Sequence, residues 1–412
     1  MLLSYRFENF GVFKEKVEFS MNSGLKMARY TDNEIEFNNK FRVLKSAVMI
    51  GENGGGKTTF IRSLEQFQSL LRASDKSLAA VPHTMNHYLE DVPDAEQGYE
   101  LEVLLPARGR GGKQEFFIYR YTLNLDRYGI TREHLDRRTI KTQAVDDIFS
   151  IRCKTTEVDV QDHPSMQDVG FGLNLMHVPE NLGYQSFMID CRMGTGLNRL
   201  ASFSSEVILP FAQWVRNSLV VKHRPELDRS AHTSYTNEIE ETVHILNSPQ
   251  FLELIRLADS TIIEIHIDKN EPYKNTKLIR MTEHGEKFSM ALSNESEGIR
   301  EFFYWAEQIW KVLYENKTLF VDNFDRLFDP VLTAKLIAFV NKTDHKGQFI
   351  FTTHNALHLN FQDFRKEQIW IASKRETPFS SELYSVADFK GMQYSNIHLW
   401  RDYLQGALNL NL

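Results

Sequence analysis

The stretch GENGGGKT, residues Gly51–Thr58, matches the pattern G-x-x-x-x-G-K-[ST] without a gap. Glycines let successive backbone N–H groups converge on phosphate oxygens, which side chains would block. A short apolar run, Leu44–Ile50, precedes this stretch, and apolar residues recur at helical spacing over Thr58–Arg72. A glycine-rich turn without function would not require this order of strand, loop and helix. The sequence therefore predicts a phosphate-binding loop.

This loop predicts ATP and Mg²⁺ as cofactors. Lys57 is expected to supply a cation to the β- and γ-phosphates, and the Thr58 hydroxyl to bind Mg²⁺. The positive N-terminal end of the following helix favours the same anion. The residues expected to hold the nucleotide are Gly51, Asn53, Gly54, Gly55, Gly56, Lys57, Thr58 and Thr59.

A second carboxylate is needed for the metal, at the end of a neighbouring strand. The apolar run Leu319–Val321 is followed directly by Asp322, which makes Asp322 the best candidate. A strand that simply ends in a turn aspartate is the ordinary alternative. Together with the phosphate loop, the strand-then-aspartate pattern favours Asp322 as the metal ligand.

The residue after this aspartate departs from the usual pattern. ATPases of this class place a glutamate there as the general base, but here Asn323 occupies the position. Asparagine can orient a water molecule but cannot take its proton. Several interpretations stay open: slow hydrolysis, a substitute carboxylate such as Asp325, an ATP-bound switch, or an inactivating substitution.

The bulk composition is that of an ordinary globular protein. Of 412 residues, 42% are hydrophobic and 25% are charged, and the formal net charge is −7. A negative net charge argues against broad nucleic-acid binding, which needs an excess of basic residues. Only Cys153 and Cys191 are cysteines, so no disulfide framework is expected. No apolar run is long enough for a membrane helix, and the N-terminus does not resemble a signal peptide; we expect a cytoplasmic protein.

The order of patterns along the chain predicts one split α/β domain, a mostly parallel sheet with flanking helices. Residues 1–150 would form its N-terminal half with a β-rich subdomain, and residues 286–412 its C-terminal half. Residues 151–285 are expected to form a mainly helical insertion. Its clearest helical patterns are Val207–Leu219 and Ser248–Ala258, and Thr261–Asp268 is a predicted strand.

These motifs resemble those of the RecF/SMC-like ABC ATPases, and the resemblance covers nearly the whole chain. Asn9-Phe10 is similar to the first-strand motif of that family, and GENGGGKTT to its Walker A loop. The segment SNESEGIR, Ser293–Arg300, resembles the signature of compact ATPases found in anti-phage systems, the overcoming-lysogenization-defect (OLD) proteins and the RloA/AbiL abortive-infection ATPases. FTTHN, Phe351–Asn355, resembles their switch-histidine strand.

The resemblance implies the fold of an ABC-type P-loop ATPase head with a helical insertion. In such heads two subunits enclose two ATP molecules, so this chain would form a homodimer or higher oligomer. Ser296 and Gly298 of one subunit would then contact the γ-phosphate that the other subunit holds, and His354 would sense loss of that phosphate. Ser296 could equally be an ordinary helix cap.

The resemblance also implies a function. The chain after His354 is too short for the TOPRIM nuclease domain of OLD nucleases, so we expect a separate effector, a nuclease or toxin. The leading hypothesis is a dimerising sensor, switch or scaffold ATPase in bacterial anti-phage defence. The alternatives are a RecF/SMC-like DNA-repair ATPase and a hydrolysis-deficient ATP-binding scaffold.

Overall fold

The computed structural model describes residues 1–24, 26–38, 41–72, 96–108, 113–126, 129–141, 144–152, 174–176, 187–189, 195–201, 207–223, 236–326, 328–375, 380–390, 392–395, 398–406 and 408. Both cysteines, Cys153 and Cys191, lie outside these residues. None of the described helices is both long and apolar enough to cross a membrane.

The strands in chain order are β1 Leu2–Glu8, β2 Val17–Ser20, β3 Glu34–Asn38, β4 Phe41–Leu44, β5 Ser46–Gly51, β6 Gln97–Arg108, β7 Gln114–Asp126, β8 Gly129–Thr139, β9 Val145–Arg152, β10 Asn174–Met176, β11 Phe187–Ile189, β12 Leu219–Lys222, β13 Ile262–His266, β14 Lys277–Met281, β15 Lys287–Ala291, β16 Thr318–Val321, β17 Gln348–Thr353, β18 Ile369–Arg375 and β19 Ser380–Ser385. The α-helices are α1 Lys57–Arg72, α2 Gly196–Ala201, α3 Leu209–Gln213, α4 Thr236–Leu246, α5 Pro249–Ala258, α6 Glu297–Glu315, α7 Pro330–Lys342 and α8 Leu399–Leu404.

One six-stranded sheet carries the phosphate loop and Asp322. Its order is β12-β16-β17-β5-β18-β19, and every neighbouring pair is parallel except β18 and β19. Every residue of β5, β16 and β17 is buried, as expected for parallel strands covered on both faces. This arrangement confirms the predicted α/β fold with a mostly parallel sheet.

The two faces of this sheet pack against different layers. Along β5 successive side chains point to opposite faces. Ala47 and Met49 belong to a cluster shared with α1 and the N-terminal strands, whereas Val48 and Ile50 belong to a cluster shared with α5, α6 and α7. The N-terminal strands form an antiparallel sheet of order β2-β1-β6-β7-β8-β9, which is the predicted β-rich subdomain. The phosphate loop therefore starts from a strand that both cores hold in place.

The described part of the segment 151–285 is less helical than we expected. It contains β12, which joins the main sheet, and the antiparallel sheet β13-β14-β15. The helix predicted over Val207–Leu219 ends earlier, because α3 is followed by a single π-helical turn at Trp214–Ser218 and then by β12. A short apolar run such as LVVK suits a helix or a buried strand equally by its pattern alone. The bounds of the three predicted regions stay a prediction.

Candidate functional site

The phosphate loop joins the carboxyl end of β5 to the first turn of α1. Gly54 and Gly56 adopt φ of +78° and +110°, which L side chains rarely adopt. A Cβ added to Gly56 would lie 2.6 Å from Cζ of Phe13, so the loop can pack there only with glycine. At Gly54 an added Cβ would meet nothing within 4 Å, so the loop is open on that side. The backbone therefore forms a cradle with free space at its tip.

Lys57 lies inside this loop with only 5% of its surface exposed. Its ammonium group donates to the carbonyl oxygens of Gly51 at 2.6 Å and Glu52 at 3.0 Å. Burial lowers the pKa of Lys57 to about 8, although the carboxylates of Asp322 and Glu52 act in the opposite direction. The ammonium is thus poorly hydrated and is held in place by two carbonyl oxygens of the loop. A cation in this state is suited to bind an anion.

Asp322 follows β16, and β17 separates that strand from β5. Its Oδ2 accepts from the Thr58 hydroxyl at 2.8 Å, and its Oδ1 accepts from the Thr352 hydroxyl at 2.6 Å. Burial would raise the pKa of Asp322, but hydrogen bonding to His223, Thr352 and Thr58 outweighs it and lowers the pKa. The carboxylate is therefore held ionised beside the first turn of α1.

The donor atoms at this point fit Mg²⁺. Thr58 and Asp322 were predicted as metal ligands, and the structure brings their side-chain oxygens to 2.8 Å from each other. A hydroxyl and an ionised carboxylate are hard oxygen ligands, and Mg²⁺ prefers to bind one or two of these together with phosphate oxygens. The site would supply those two ligands, and bound ATP the phosphate oxygens.

Asn323 has a left-handed backbone, with φ of 52°. Its N–H donates to the Thr352 hydroxyl at 2.8 Å, so Thr352 connects Asn323 to Asp322. The side-chain Oδ1 of Asn323 is buried, and it has no hydrogen-bond partner among the described residues. A buried acceptor without a donor is costly. Any donor that reached this oxygen would therefore gain a strong partner.

Asp325 does not present a free carboxylate. Its Oδ2 accepts from the Thr353 hydroxyl at 2.8 Å and lies 2.9 Å from Nε2 of His358, whose side chain is 3% exposed. A carboxylate with two hydrogen-bonding neighbours on one oxygen is poorly placed to collect a proton from water. The geometry therefore favours a structural role for Asp325, linking β17 to the turn after β16.

His354 stands at the carboxyl end of β17 and is exposed. Partial burial lowers the pKa of His354, and the nearby Lys57 ammonium adds to that effect, while Asp322 and Asp325 oppose it. The imidazole therefore lies within electrostatic range of both the loop lysine and the metal carboxylate. The role of His354 as a phosphate sensor stays a prediction.

Ser296 and Gly298 lie at the start of α6. Ser296 is exposed and caps the helix, since its hydroxyl accepts from the N–H of Ile299 at 3.3 Å. In the part of the chain that the structure describes, no hydrogen bond or ion pair joins Ser296 or Gly298 to the phosphate loop. Contact of these two residues with a nucleotide held by a second subunit stays a prediction.

Thr59 faces a turn that links β1 to β2. A Cβ added to Gly11 would lie 2.5 Å from Cγ2 of Thr59, so the turn rests directly on the first turn of α1. Gln97, buried at the start of β6, donates to the carbonyl of Asn9 in the same turn at 2.9 Å. The Asn9-Phe10 motif is thus part of the wall beside the phosphate loop.

The structure adds His223, which the sequence reasoning missed. It follows β12, with its Nδ1 3.6 Å from Oδ2 of Asp322 and its Nε2 3.0 Å from Oε2 of Glu65 on α1. The pKa of His223 is raised, and the facing carboxylate of Asp322 is the largest cause. Burial lowers this pKa, whereas the Glu65 carboxylate raises it further. The available signal was weak: the short apolar run Leu219–Val221 is followed by polar residues, as the run Leu319–Val321 is followed by Asp322.

Residues 208–360 match a family model described as "AAA domain, putative AbiEii toxin, Type IV TA system". This range covers fewer than half of the 412 residues. It begins just before α3 and includes β12, Asp322 and His354, but not the phosphate loop. No curated protein matches the chain.

Solved structures with a similar backbone include SMC head domains. The SMC head domain from Thermotoga maritima has a TM-score of 0.42 and 11% identity, covering 93% of this chain and 98% of that chain. An Smc head domain with an extended coiled coil, bound to the C-terminal domain of ScpA and derived from Pyrococcus furiosus, has a TM-score of 0.40 and 10% identity, covering 93% and 96%. Our conclusion depends instead on the sheet order and the loop: the chain has the α/β fold of a P-loop ATPase.

Proposed function

We propose that this chain is an ABC-type ATPase head that binds ATP with Mg²⁺ and dimerises around the nucleotide. The observation that carries the proposal is the convergence of three predicted residues. Lys57, Thr58 and Asp322 come from α1 and the end of β16, and they meet at a buried position next to an open glycine loop. An ammonium, a hydroxyl and a carboxylate in this arrangement suit a nucleotide triphosphate and its metal.

The same residues imply how hydrolysis would proceed. Thr58 and Asp322 would hold Mg²⁺, which would supply positive charge to neutralise the phosphates. Lys57 would balance further phosphate charge. Oδ1 of Asn323, which has no hydrogen-bond partner among the described residues, would orient the attacking water. Because an amide cannot take the proton of that water, we expect slow turnover and a long-lived ATP-bound state.

Dimerisation can be tested at Ser296 without breaking helix α6. In Ser296→Asp the carboxylate preserves the helix cap but adds a negative charge where the partner's γ-phosphate would lie. We expect ATP to convert the native chain to a dimer in light-scattering gel filtration, and Ser296→Asp to remain monomeric at the same ATP concentration.

The matched control is Ser289→Asp, an exposed position on β15 that lies outside the segment Ser293–Arg300. It carries the same charge change and should dimerise like the native chain. Equal dimerisation of both variants would reject contact between Ser296 and the nucleotide. No response of the native chain to ATP would reject the dimer itself.

We further propose a cytoplasmic role in bacterial anti-phage defence, with a separate nuclease or toxin as effector. Two observations support it. The family description matched by residues 208–360 refers to a toxin and a toxin–antitoxin system, and the segment Ser293–Arg300 resembles the signature of abortive-infection ATPases. The nucleotide state of the head would then control the effector.

This role can be tested in a bacterial host that carries the chain together with its neighbouring genes. We expect the native genes to lower the plating efficiency of at least one phage in a panel, and Lys57→Ala to restore plating. A panel that plates equally on both strains would reject the defence role and leave the biochemical proposal intact.

A further inference from the structure

We propose that His223 is a nitrogen ligand of the divalent cation at this site, which gives the site a preference for Mn²⁺ over Mg²⁺ beyond what oxygen ligands alone would give. The inference rests on the proposed ATP site and extends it by one residue. It starts from the sheet: β12 pairs in parallel with β16, Lys222 lies opposite Val321, and the N–H of Asp322 donates to the carbonyl of Lys222 at 2.9 Å. This pairing places His223 beside Asp322.

The two ring nitrogens of His223 face different carboxylates. An ionised carboxylate only accepts hydrogen bonds, so the contact of 3.0 Å with Glu65 assigns the ring proton to Nε2. In the neutral ring Nδ1 is then an acceptor, and it faces Oδ2 of Asp322 at 3.6 Å. A second ring proton on Nδ1 can join these two atoms in the metal-free protein, and a metal ion bound by both atoms would take the place of that proton.

The oxygen that Nδ1 faces is the one already assigned to the metal. Oδ2 of Asp322 also accepts from the Thr58 hydroxyl at 2.8 Å. Octahedral ligands at about 2.0–2.1 Å from a cation lie roughly 2.9 Å from one another. Thr58 already has this spacing from Asp322, and His223 would need to approach by less than about 1 Å.

Glu65 supplies the outer partner that a metal-binding histidine normally has. Such a histidine donates its second N–H to a carboxylate or carbonyl, which fixes the ring. Glu65 lies on α1, the helix that begins with Lys57, and Gln68 on that helix donates to the carbonyls of Val215 at 3.0 Å and Leu219 at 2.6 Å. The helix is thus fixed against the start of β12, and the Glu65–His223 contact is held by both elements. Imidazole favours first-row transition ions over Mg²⁺, which prefers oxygen.

The test uses Mn²⁺ with ATP as the probe, on full-length protein whose histidines carry ¹⁵N. Pulsed electron paramagnetic resonance should detect coupling between Mn²⁺ and a histidine nitrogen in the native chain. The coupling should disappear in His223→Gln and persist in His266→Gln, an exposed histidine beside Glu264. Glu65→Gln should raise the Kd for Mn²⁺ about 10–100-fold. In His223→Gln the preference for Mn²⁺ over Mg²⁺ should fall roughly tenfold.

Thermal melting of each variant shows whether it is folded. If His223→Gln is unfolded, the Kd for Mn²⁺ of Glu65→Gln still tests the inference. Bound Mn²⁺ and nucleotide without histidine coupling would overturn the inference and leave the ATP site standing. A native chain that binds no Mn²⁺–ATP at all would overturn the proposed function as well.

Discussion

Lys57→Ala is expected to weaken ATP binding by at least about 100-fold, or about 2.8 kcal/mol at 1.4 kcal/mol per tenfold change. The Lys57 ammonium is buried in the loop and bonded only to backbone carbonyls in the contacts described, so burial lowers its pKa to about 8. A phosphate would give this ammonium a charged hydrogen-bond partner in place of two neutral carbonyl oxygens. The loss should be measured by isothermal titration with ATP and Mg²⁺.

Lys335→Ala is the matched control, because it removes an exposed lysine from α7. It should bind ATP like the native chain. Removing Lys57 also removes a poorly hydrated charge, so we expect the fold to survive, as thermal melting would show. If Lys57→Ala bound ATP as tightly as Lys335→Ala, the phosphate loop would not be the nucleotide site.

Asn323→Glu is expected to raise the rate of ATP hydrolysis at least about 100-fold, the lower end of the usual contribution of a general base. Oδ1 of Asn323 is buried and without a described partner, so a carboxylate there would meet the same water and could also take its proton. Because the backbone of residue 323 is left-handed, with φ of 52°, glutamate there should lower the free energy of unfolding by roughly 1 kcal/mol. Phosphate release at saturating ATP measures the rate.

Asn323→Gln is the matched control, because it has the length and backbone strain of glutamate without its charge. It should stay as slow as the native chain, and Asp325→Asn should also leave the slow rate unchanged because Asp325 is already bonded to Thr353. Fast turnover by the native chain, with no gain from Asn323→Glu over Asn323→Gln, would show that another group is the base. It would also reject the hydrolysis-deficient scaffold.

The parts of the site that follow one another in the chain could be predicted from the sequence. The loop Gly51–Thr58 lies between a buried strand and a helix, and the apolar run Leu319–Val321 directly precedes Asp322, so the local pattern was sufficient for both. The two halves were expected to meet because the carboxyl ends of parallel strands share one edge of a sheet. The 2.8 Å contact between Thr58 and Asp322 agrees with that expectation.

Contacts between distant strands could not be predicted in the same way. His223 reaches Asp322 only because β12 pairs with β16, and one sequence does not determine which strands become neighbours. The surroundings of Asp325 were also out of reach, because His358, which lies beside it, is 33 positions further along the chain. Thr352 was included in the switch segment, but its bridge from Asp322 to Asn323 depends on β17 lying next to β16.

The position of β17 between β5 and β16 has a consequence for how the site tolerates change. Neighbouring strands lie about 4.8 Å apart, so the loop strand and the aspartate strand are about two such spacings apart. That width is fixed by backbone hydrogen bonds and not by the volume of any core side chain. Many core substitutions can therefore reduce the free energy of unfolding while the surviving folded molecules keep a site of unchanged width.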